Sequence, residues 1–141
     1  MTIASTLLLI TADPSHPLAT HAYRYAHAFL QSQAADNSGS SKLSVFFYAD
    51  AAHTANKLRW QSADRDNLTE KWRALSEQFH QPLPVCVSTA LTRGITDEDN
   101  AKRHDLTSNG LAADNLAAGF ELVGLGDLAT ALADAEKVVS F

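Results

Sequence analysis

Cysteine is almost absent from this sequence: Cys86 is the single one among 141 residues. One cysteine cannot form a disulfide within the chain, and the sequence has no Cys-x-x-Cys pair and no cysteine–histidine spacing of the kind that binds zinc. A disulfide-stabilised fold, a dithiol redox centre and a structural zinc site are therefore excluded. The scarcity of cysteine is typical of a protein from a reducing compartment, and we expect a cytoplasmic location.

Basic residues are outnumbered by acidic ones, eleven to sixteen, which gives a net charge of −5. Proteins that bind DNA or RNA directly rely on clustered Lys and Arg side chains, and here the basic residues are scattered. Direct nucleic-acid binding is therefore not expected. Long apolar runs are also missing, because IASTLLLI at residues 3–10 is too short to span a bilayer and follows no basic segment. We expect neither a membrane anchor nor a secretion signal.

Glycine is missing from the turn that follows this apolar run. The segment ADPSHPLA, at residues 12–19, offers neither a dinucleotide fingerprint nor a phosphate-binding loop, and the GLG sequence at 124–126 has the spacing of neither motif. No nucleotide cofactor is therefore expected. The spacing of His16, His21 and His27 does not place them on one helix face, so no metal site is predicted either.

The chain does contain a regular alternation of two patterns. Short continuous apolar runs are typical of strands buried on both faces of a sheet. Between them lie stretches with apolar residues three or four positions apart, which predict amphipathic helices. The alternation favours an α/β fold with a parallel sheet and helices on both faces, in one domain covering residues 1–141. Predicted strands lie at 7–10, 43–48, 120–124 and 137–141, and residues 85–87 form the middle of another, the third along the chain. The last helix lies within 125–135.

The other predicted helices begin at recognisable signals. Pro14 and Pro17 both suit a first helical turn, and Asn67 with Glu70 resembles a capping box. Thr96 can cap a further short helix that has acidic residues in its first turn and basic residues in its last. The expected buried faces are Leu18, Ala22, Tyr25, Ala26, Phe29 and Leu30 in the first helix, and Leu68, Trp72, Leu75 and Phe79 in the second.

Cys86 lies in PVCVSTALTRGI, at residues 84–95, near the end of the third predicted strand and just before a helical turn. Free cysteine is among the most buried residue types, so packing between two valines is one interpretation. The other is chemical: at the carboxyl edge of a parallel sheet, backbone N–H groups and the helix dipole favour the thiolate, which is the nucleophile. Arg93 could add positive charge. The spacing alone does not decide between them, although it excludes a phosphatase loop, because the interval from Cys86 to Arg93 is too long and holds no glycine.

Four segments together resemble the DsrE/TusD family of sulfur-relay proteins, to which the TusD subunit of the TusBCD complex belongs. They are LSVFFYADAAHTANKL at 43–58, PVCVSTALTRGI at 84–95, NLAAGFELVGLGDLA at 115–129 and KVVSF at 137–141, in the order of the family. The resemblance implies a three-layer α/β/α domain around a five-stranded parallel sheet, in the strand order 2-1-3-4-5. It also implies a heterohexamer with homologous TusB-like and TusC-like subunits.

The same resemblance implies a function. Cys86 matches the active cysteine of the family and would accept sulfur as a persulfide from a TusA-like donor, then pass it to a TusE-like acceptor. The eventual product is the 2-thio group of the wobble uridine in certain tRNAs, and no cofactor is implied. From their place next to Cys86 in the sequence, and not from the resemblance, Arg93 and backbone donors near Ser88 and Thr89 are expected to steady the charged sulfur. The sulfur itself is expected to be reachable at the edge of the sheet.

Two alternatives stay open on the same residues. One is sulfur transfer of the DsrE type, in oxidative sulfur metabolism, and the other is an assembly subunit without chemistry. Two departures from the family pattern concern surface regions. The connection QAADNSGSSK at 33–42 looks longer than usual, and ADPSHPLATHAY at 12–23 lacks the glycine that relatives often carry after the first strand.

Overall fold

A computed structural model of the chain describes residues 4–36, 39 and 41–141. Strands and helices alternate along it, as the sequence patterns predict. The strands are β1 (Ala4–Ile10), β2 (Ser41–Phe47), β3 (Leu83–Cys86), β4 (Thr107–Ser108), β5 (Leu111–Ala112), β6 (Phe120–Val123) and β7 (Lys137–Ser140). The helices are α1 (Pro17–Ala35), α2 (Leu68–Phe79), α3 (Val87–Thr92), α4 (Glu98–Arg103) and α5 (Leu125–Asp134), with a 3-10 helix at Ala49–Ala55.

The main sheet has five parallel strands in the order β6-β3-β2-β1-β7. The predicted α/β class and five-stranded parallel sheet are confirmed, but the predicted order 2-1-3-4-5 is wrong. Counted along the chain, these five strands have the order 4-3-2-1-5. Strand β7 pairs with the free side of β1, and β3 pairs with β2 at Phe47 and Val85 rather than with β1. The apolar pattern that marks a strand says nothing about which strand becomes its neighbour, because the crossovers decide that.

Two apolar clusters hold the layers together, one on each face of the sheet. The larger lies under α1, α2 and the 3-10 helix, where Phe47 meets the rings of Trp72 and Phe120 edge-on at centroid distances of 5.1 and 5.4 Å. The smaller, on the opposite face, is formed by Leu7, Phe46 and Cys86 beneath α5. Helices therefore cover both faces, and the expected three-layer arrangement is confirmed.

Helix α1 packs on the sheet through small residues. Ala19, Ala22, Ala26 and Leu30 are its buried residues, whereas Leu18 is 44% exposed. The prediction that Leu18 faces the core is wrong, because alanine at the contact lets the helix approach the sheet closely and places its larger neighbour at the side. No described helix is both long enough and apolar enough to cross a membrane.

Helix boundaries follow the capping signals closely, with one shift. The Asn67 side chain accepts hydrogen bonds from the amides of Thr69 and Glu70 at 3.0 and 3.4 Å, which confirms the predicted start of α2. For α4 the cap is Asp97 and not Thr96, since Asp97 Oδ1 accepts the Asn100 amide at 2.8 Å. The buried Thr96 instead donates its own amide to Asn115 Oδ1.

Two connections differ from expectation. Of the predicted loop at 33–42, the first three residues extend α1 and the last two belong to β2, and residues 37, 38 and 40 lie outside the described residues. A hairpin of β4 and β5 was not predicted. Its turn residues, Asn109 and Gly110, have φ values of 53° and 77°, the left-handed conformation that an Asn-Gly turn favours. The Asn-Gly pair was the signal that could have revealed it.

Candidate functional site

Cys86 ends strand β3 and is the N-cap of α3. The prediction placed it inside a strand reaching residue 87, but Val87 already belongs to α3. The prediction that a helical turn follows the cysteine at the carboxyl edge of the sheet is confirmed. A parallel sheet brings the carboxyl ends of its strands to one edge, and functional groups of α/β proteins gather there.

The Cys86 side chain is buried, with 1% of the residue exposed. It lies against Leu7 and Phe46, and half-buried residues of β6 and α5, Val123 and Leu128 among them, complete its surroundings. The expectation of a thiol reachable at the sheet edge is therefore wrong for the single chain. The cause is the pairing of β3 with β6, which sets Cys86 opposite Val123, immediately before α5 begins. A reagent or partner reaches this sulfur only after a local opening.

Two of the three residues expected to support the sulfur, Thr89 and Arg93, make their side-chain hydrogen bonds to other groups. The Thr89 hydroxyl donates to the Cys86 carbonyl at 3.2 Å, and Arg93 Nη1 donates to the Thr89 carbonyl at 3.0 Å. The guanidinium of Arg93 also forms an ion pair with Asp50, at 3.0 Å from Nη2 and 3.3 Å from Nε. Ser88 is exposed. The contacts of Thr89 and Arg93 fix the short helix that begins at the cysteine.

Asp50 was missed by the sequence analysis. It is the second residue of the 3-10 helix that follows β2, and it meets Arg93 because β2 and β3 are neighbours in the sheet. The expected strand order placed β3 beside β1, which gave no reason to connect the two segments. An acidic residue two positions after the predicted strand at 43–48 was the available signal.

A second polar group lies at the end of β1, on the side of α1 and α2. Asp13 accepts hydrogen bonds from the amide and the hydroxyl of Ser15 at 2.9 and 2.6 Å. Partial burial raises the pKa of Asp13, but these hydrogen bonds and the charges of His53 and Arg59 outweigh burial, so the pKa lies below its ordinary value. Nearby, an open cleft of 620 Å³ is lined by Arg24 among others.

The described residues contain no cluster of three or more His, Cys, Asp or Glu side chains that could hold a metal ion. Two of the histidines that raised the question have structural contacts. His16 Nδ1 accepts the Leu18 amide at 3.1 Å as the cap of α1, and His27 stacks on Tyr23 with ring centroids 5.8 Å apart. The candidate reactive group at the carboxyl edge of the sheet is therefore the buried thiol of Cys86.

A sequence model of the DsrE/DsrF-like family matches residues 4–141, and the chain belongs to that family. Within it, the chain is 39% identical over 123 residues to Sulfurtransferase TusD of Proteus mirabilis, which covers 87% of this chain and 86% of the relative. It is 40% identical to Sulfurtransferase TusD of Salmonella enteritidis, over 87% of this chain and 88% of that protein. The predicted family resemblance is confirmed.

Solved structures agree on the fold. The ychN protein from E. coli superposes with a TM-score of 0.71 at 19% identity, covering 99% of this chain and all of that chain. A protein of unknown function from Methanobacterium thermoautotrophicum, MTH1491, superposes with a TM-score of 0.60 at 13% identity, over 99% of each chain. At these identities the likeness concerns the architecture alone.

Proposed function

We propose that this protein is a sulfurtransferase that carries sulfur as a persulfide on Cys86. The single observation that carries the proposal is the place of the only cysteine, at the carboxyl end of β3 and the start of α3, in a chain about 40% identical to proteins named Sulfurtransferase TusD. Arg93 and the backbone around Ser88 and Thr89 serve this role by fixing the helix that begins at the cysteine.

The proposed reaction is a pair of thiol–persulfide exchanges. The Cys86 thiolate attacks the outer sulfur of a persulfide on a donor protein; the donor's sulfur–sulfur bond breaks, and the donor leaves as a thiolate. A thiolate of the acceptor then attacks the outer sulfur on Cys86, which restores the Cys86 thiolate. Each step forms one sulfur–sulfur bond and breaks another, so no external oxidant, reductant or cofactor is required.

The proposed partners follow from the family. A TusA-like protein is the donor, a TusE-like protein is the acceptor, and TusB-like and TusC-like subunits complete a heterohexamer. The sulfur ends in the 2-thio group of the tRNA wobble uridine. This protein acts in the cytoplasm as a single-domain subunit of the relay. The net charge of −5 supports a protein that contacts other proteins rather than the tRNA itself.

The decisive experiment replaces Cys86 in the chromosomal gene of the organism that encodes this protein and measures 2-thiouridine in bulk tRNA. A serine hydroxyl without a hydrogen-bond partner at this buried position lowers the free energy of unfolding by about 1–3 kcal/mol. Cys86→Ala is therefore tested beside Cys86→Ser. Loss of thiolation in both variants, with the protein still present and folded, is the expected result. Normal thiolation in either variant would reject the assignment.

A second candidate function is an assembly subunit without chemistry, and the burial of Cys86 is the observation that favours it. In that case the thiol stays unreactive to iodoacetamide in the assembled complex, and intact-mass spectrometry finds no added sulfur on the chain. Sulfur transfer in oxidative metabolism, the DsrE type of role, uses the same chemistry. It is distinguished by normal tRNA thiolation together with a defect in sulfur oxidation when Cys86 is replaced.

A further inference from the structure

A continuous series of polar contacts joins an exposed carboxylate to the backbone of Cys86. Asp50 pairs with Arg93 at 3.0 Å, Arg93 donates to the Thr89 carbonyl at 3.0 Å, and the Thr89 hydroxyl donates to the Cys86 carbonyl at 3.2 Å. Asp50 is at its outer end, with 62% of its side chain exposed, while the Arg93 side chain is 25% exposed. The series runs between the two segments that follow β2 and β3.

Helix α3 needs support of this kind. It has six residues, and an isolated helix of that length is unstable in water. Its packing against the 3-10 helix holds one side, and Ala90 is its one fully buried residue. Arg93 is the C-cap residue, just beyond the last residue of α3. Its guanidinium binds the Thr89 carbonyl within α3 and pairs with Asp50 of the 3-10 helix, so it connects the end of α3 to that helix.

We propose that Asp50 is a positioning residue for Cys86: through Arg93 and Thr89, it holds α3 in place and sets how often the enclosed sulfur becomes accessible. The inference rests on the proposed function in that Cys86 is the reacting group. Asp50 does not touch the sulfur. It restrains α3, which packs on the face of the 3-10 helix, whereas α5 covers the sulfur on the opposite face. A docking partner that displaced the Asp50 carboxylate from Arg93 would loosen α3 and so contribute to the opening that exposes the thiol.

The test measures the rate at which iodoacetamide alkylates Cys86 in the purified full chain, alone and with any subunits that co-purify, by intact-mass spectrometry. Asp50→Asn is expected to react about two- to fivefold faster than the unmodified chain, as befits the loss of one surface ion pair. Asp50→Glu, which keeps the carboxylate, is expected to react at the original rate. The double variant Asp50→Arg, Arg93→Asp reverses the two charges of the ion pair, and its alkylation rate is expected to return part of the way to that of the original chain.

A matched control is available on α2. Glu70 accepts two bonds from one guanidinium, Arg73 Nε at 3.0 Å and Nη2 at 2.8 Å, as Asp50 does from Arg93, and it is similarly exposed. Glu70→Gln therefore removes a comparable ion pair that lies within α2 and involves neither α3 nor the 3-10 helix, and it is expected to leave the Cys86 rate unchanged. Raising the salt concentration to about 0.5 M screens the Asp50–Arg93 ion pair. The alkylation rate of the original chain is therefore expected to rise toward that of Asp50→Asn. The rate of Asp50→Asn, which lacks the ion pair, is expected to change little with salt.

The urea dependence of the rate distinguishes positioning from general destabilisation. A local opening exposes little surface, so the accelerated reaction of Asp50→Asn depends weakly on low urea, whereas reaction through global unfolding depends on it steeply. An unchanged rate in Asp50→Asn, an equal gain in Glu70→Gln, or a steep urea dependence would overturn the inference. Loading of Cys86 from glutathione persulfide, read as one added sulfur atom, tests the proposed function separately. Its failure leaves the alkylation result intact.

Discussion

Asp13 shows how a single residue at the carboxyl edge acquires its charge state from local contacts. It is on the loop after β1, where the Ser15 amide and hydroxyl both donate to one of its carboxylate oxygens. These bonds favour the ionised carboxylate and outweigh its partial desolvation. The loop that leads into α1 is therefore fastened by a group whose contribution depends on pH.

The pH dependence of this contribution has a definite sign. Because the pKa of Asp13 is lowered in the folded chain from its ordinary 3.8, the stabilisation is complete above that value and is lost as the pH falls through the lower, folded pKa. We expect Asp13→Asn to lower the melting temperature near neutral pH and to lose that difference in acid. Thermal unfolding of both proteins from about pH 6 down to about pH 3 checks this. A difference that grew on acidification would contradict the assignment.

At Cys86 the sequence indicated the position but not the environment. The apolar run followed by a helical pattern correctly predicted a cysteine at the junction of a strand and a helix. It could not predict that α5 covers the sulfur, because this depends on β6 pairing with β3. The same limitation hid Asp50. Both misses come from contacts between segments distant in sequence.

At the scale of secondary-structure elements, local signals were most reliable where a side chain caps its own helix. Asn67 binds two free amides of α2, and this interaction needs no knowledge of the rest of the fold. The Asn-Gly turn of the β4–β5 hairpin is equally local. Boundaries within the Cys86 segment were less certain, because the residues at the end of β3 suit either a strand or a helix.

The cap of α2 gives an element-scale prediction. Asn67→Ala leaves the Thr69 and Glu70 amides without their acceptor and is expected to lower the free energy of unfolding by about 1 kcal/mol. Urea denaturation measures the loss, and Asn67→Asp serves as the control because aspartate caps helices comparably well. Equal stability of the alanine variant and the original chain would show that the cap contributes nothing.

On the scale of the whole molecule, the two faces of the sheet are unequally covered. One face has α1, α2 and the 3-10 helix with a large buried cluster, whereas the other has α5, which contributes no fully buried residue. The α/β class was predictable from alternation along the chain. The order of the strands and the imbalance between the faces were not, because they arise from how the crossovers wind around β1 and β2.

This imbalance predicts unequal local stability. We expect the backbone amides of α5 to exchange hydrogen for deuterium sooner than those of β1, β2 and α1, because few apolar contacts oppose the opening of α5. Hydrogen–deuterium exchange followed by mass spectrometry on the isolated chain provides the measurement. Protection of α5 equal to that of β1 would contradict the expectation.

Under the proposed function, the enclosure of Cys86 bears on how long a carried sulfur survives between transfers. A persulfide left open to a reducing cytoplasm is consumed by any free thiol that collides with it, and by peroxide. A pocket of Leu7, Phe46 and α5 side chains would keep such a cargo from futile loss between deliveries. Slowness toward small molecules would then be part of the fidelity of the carrier.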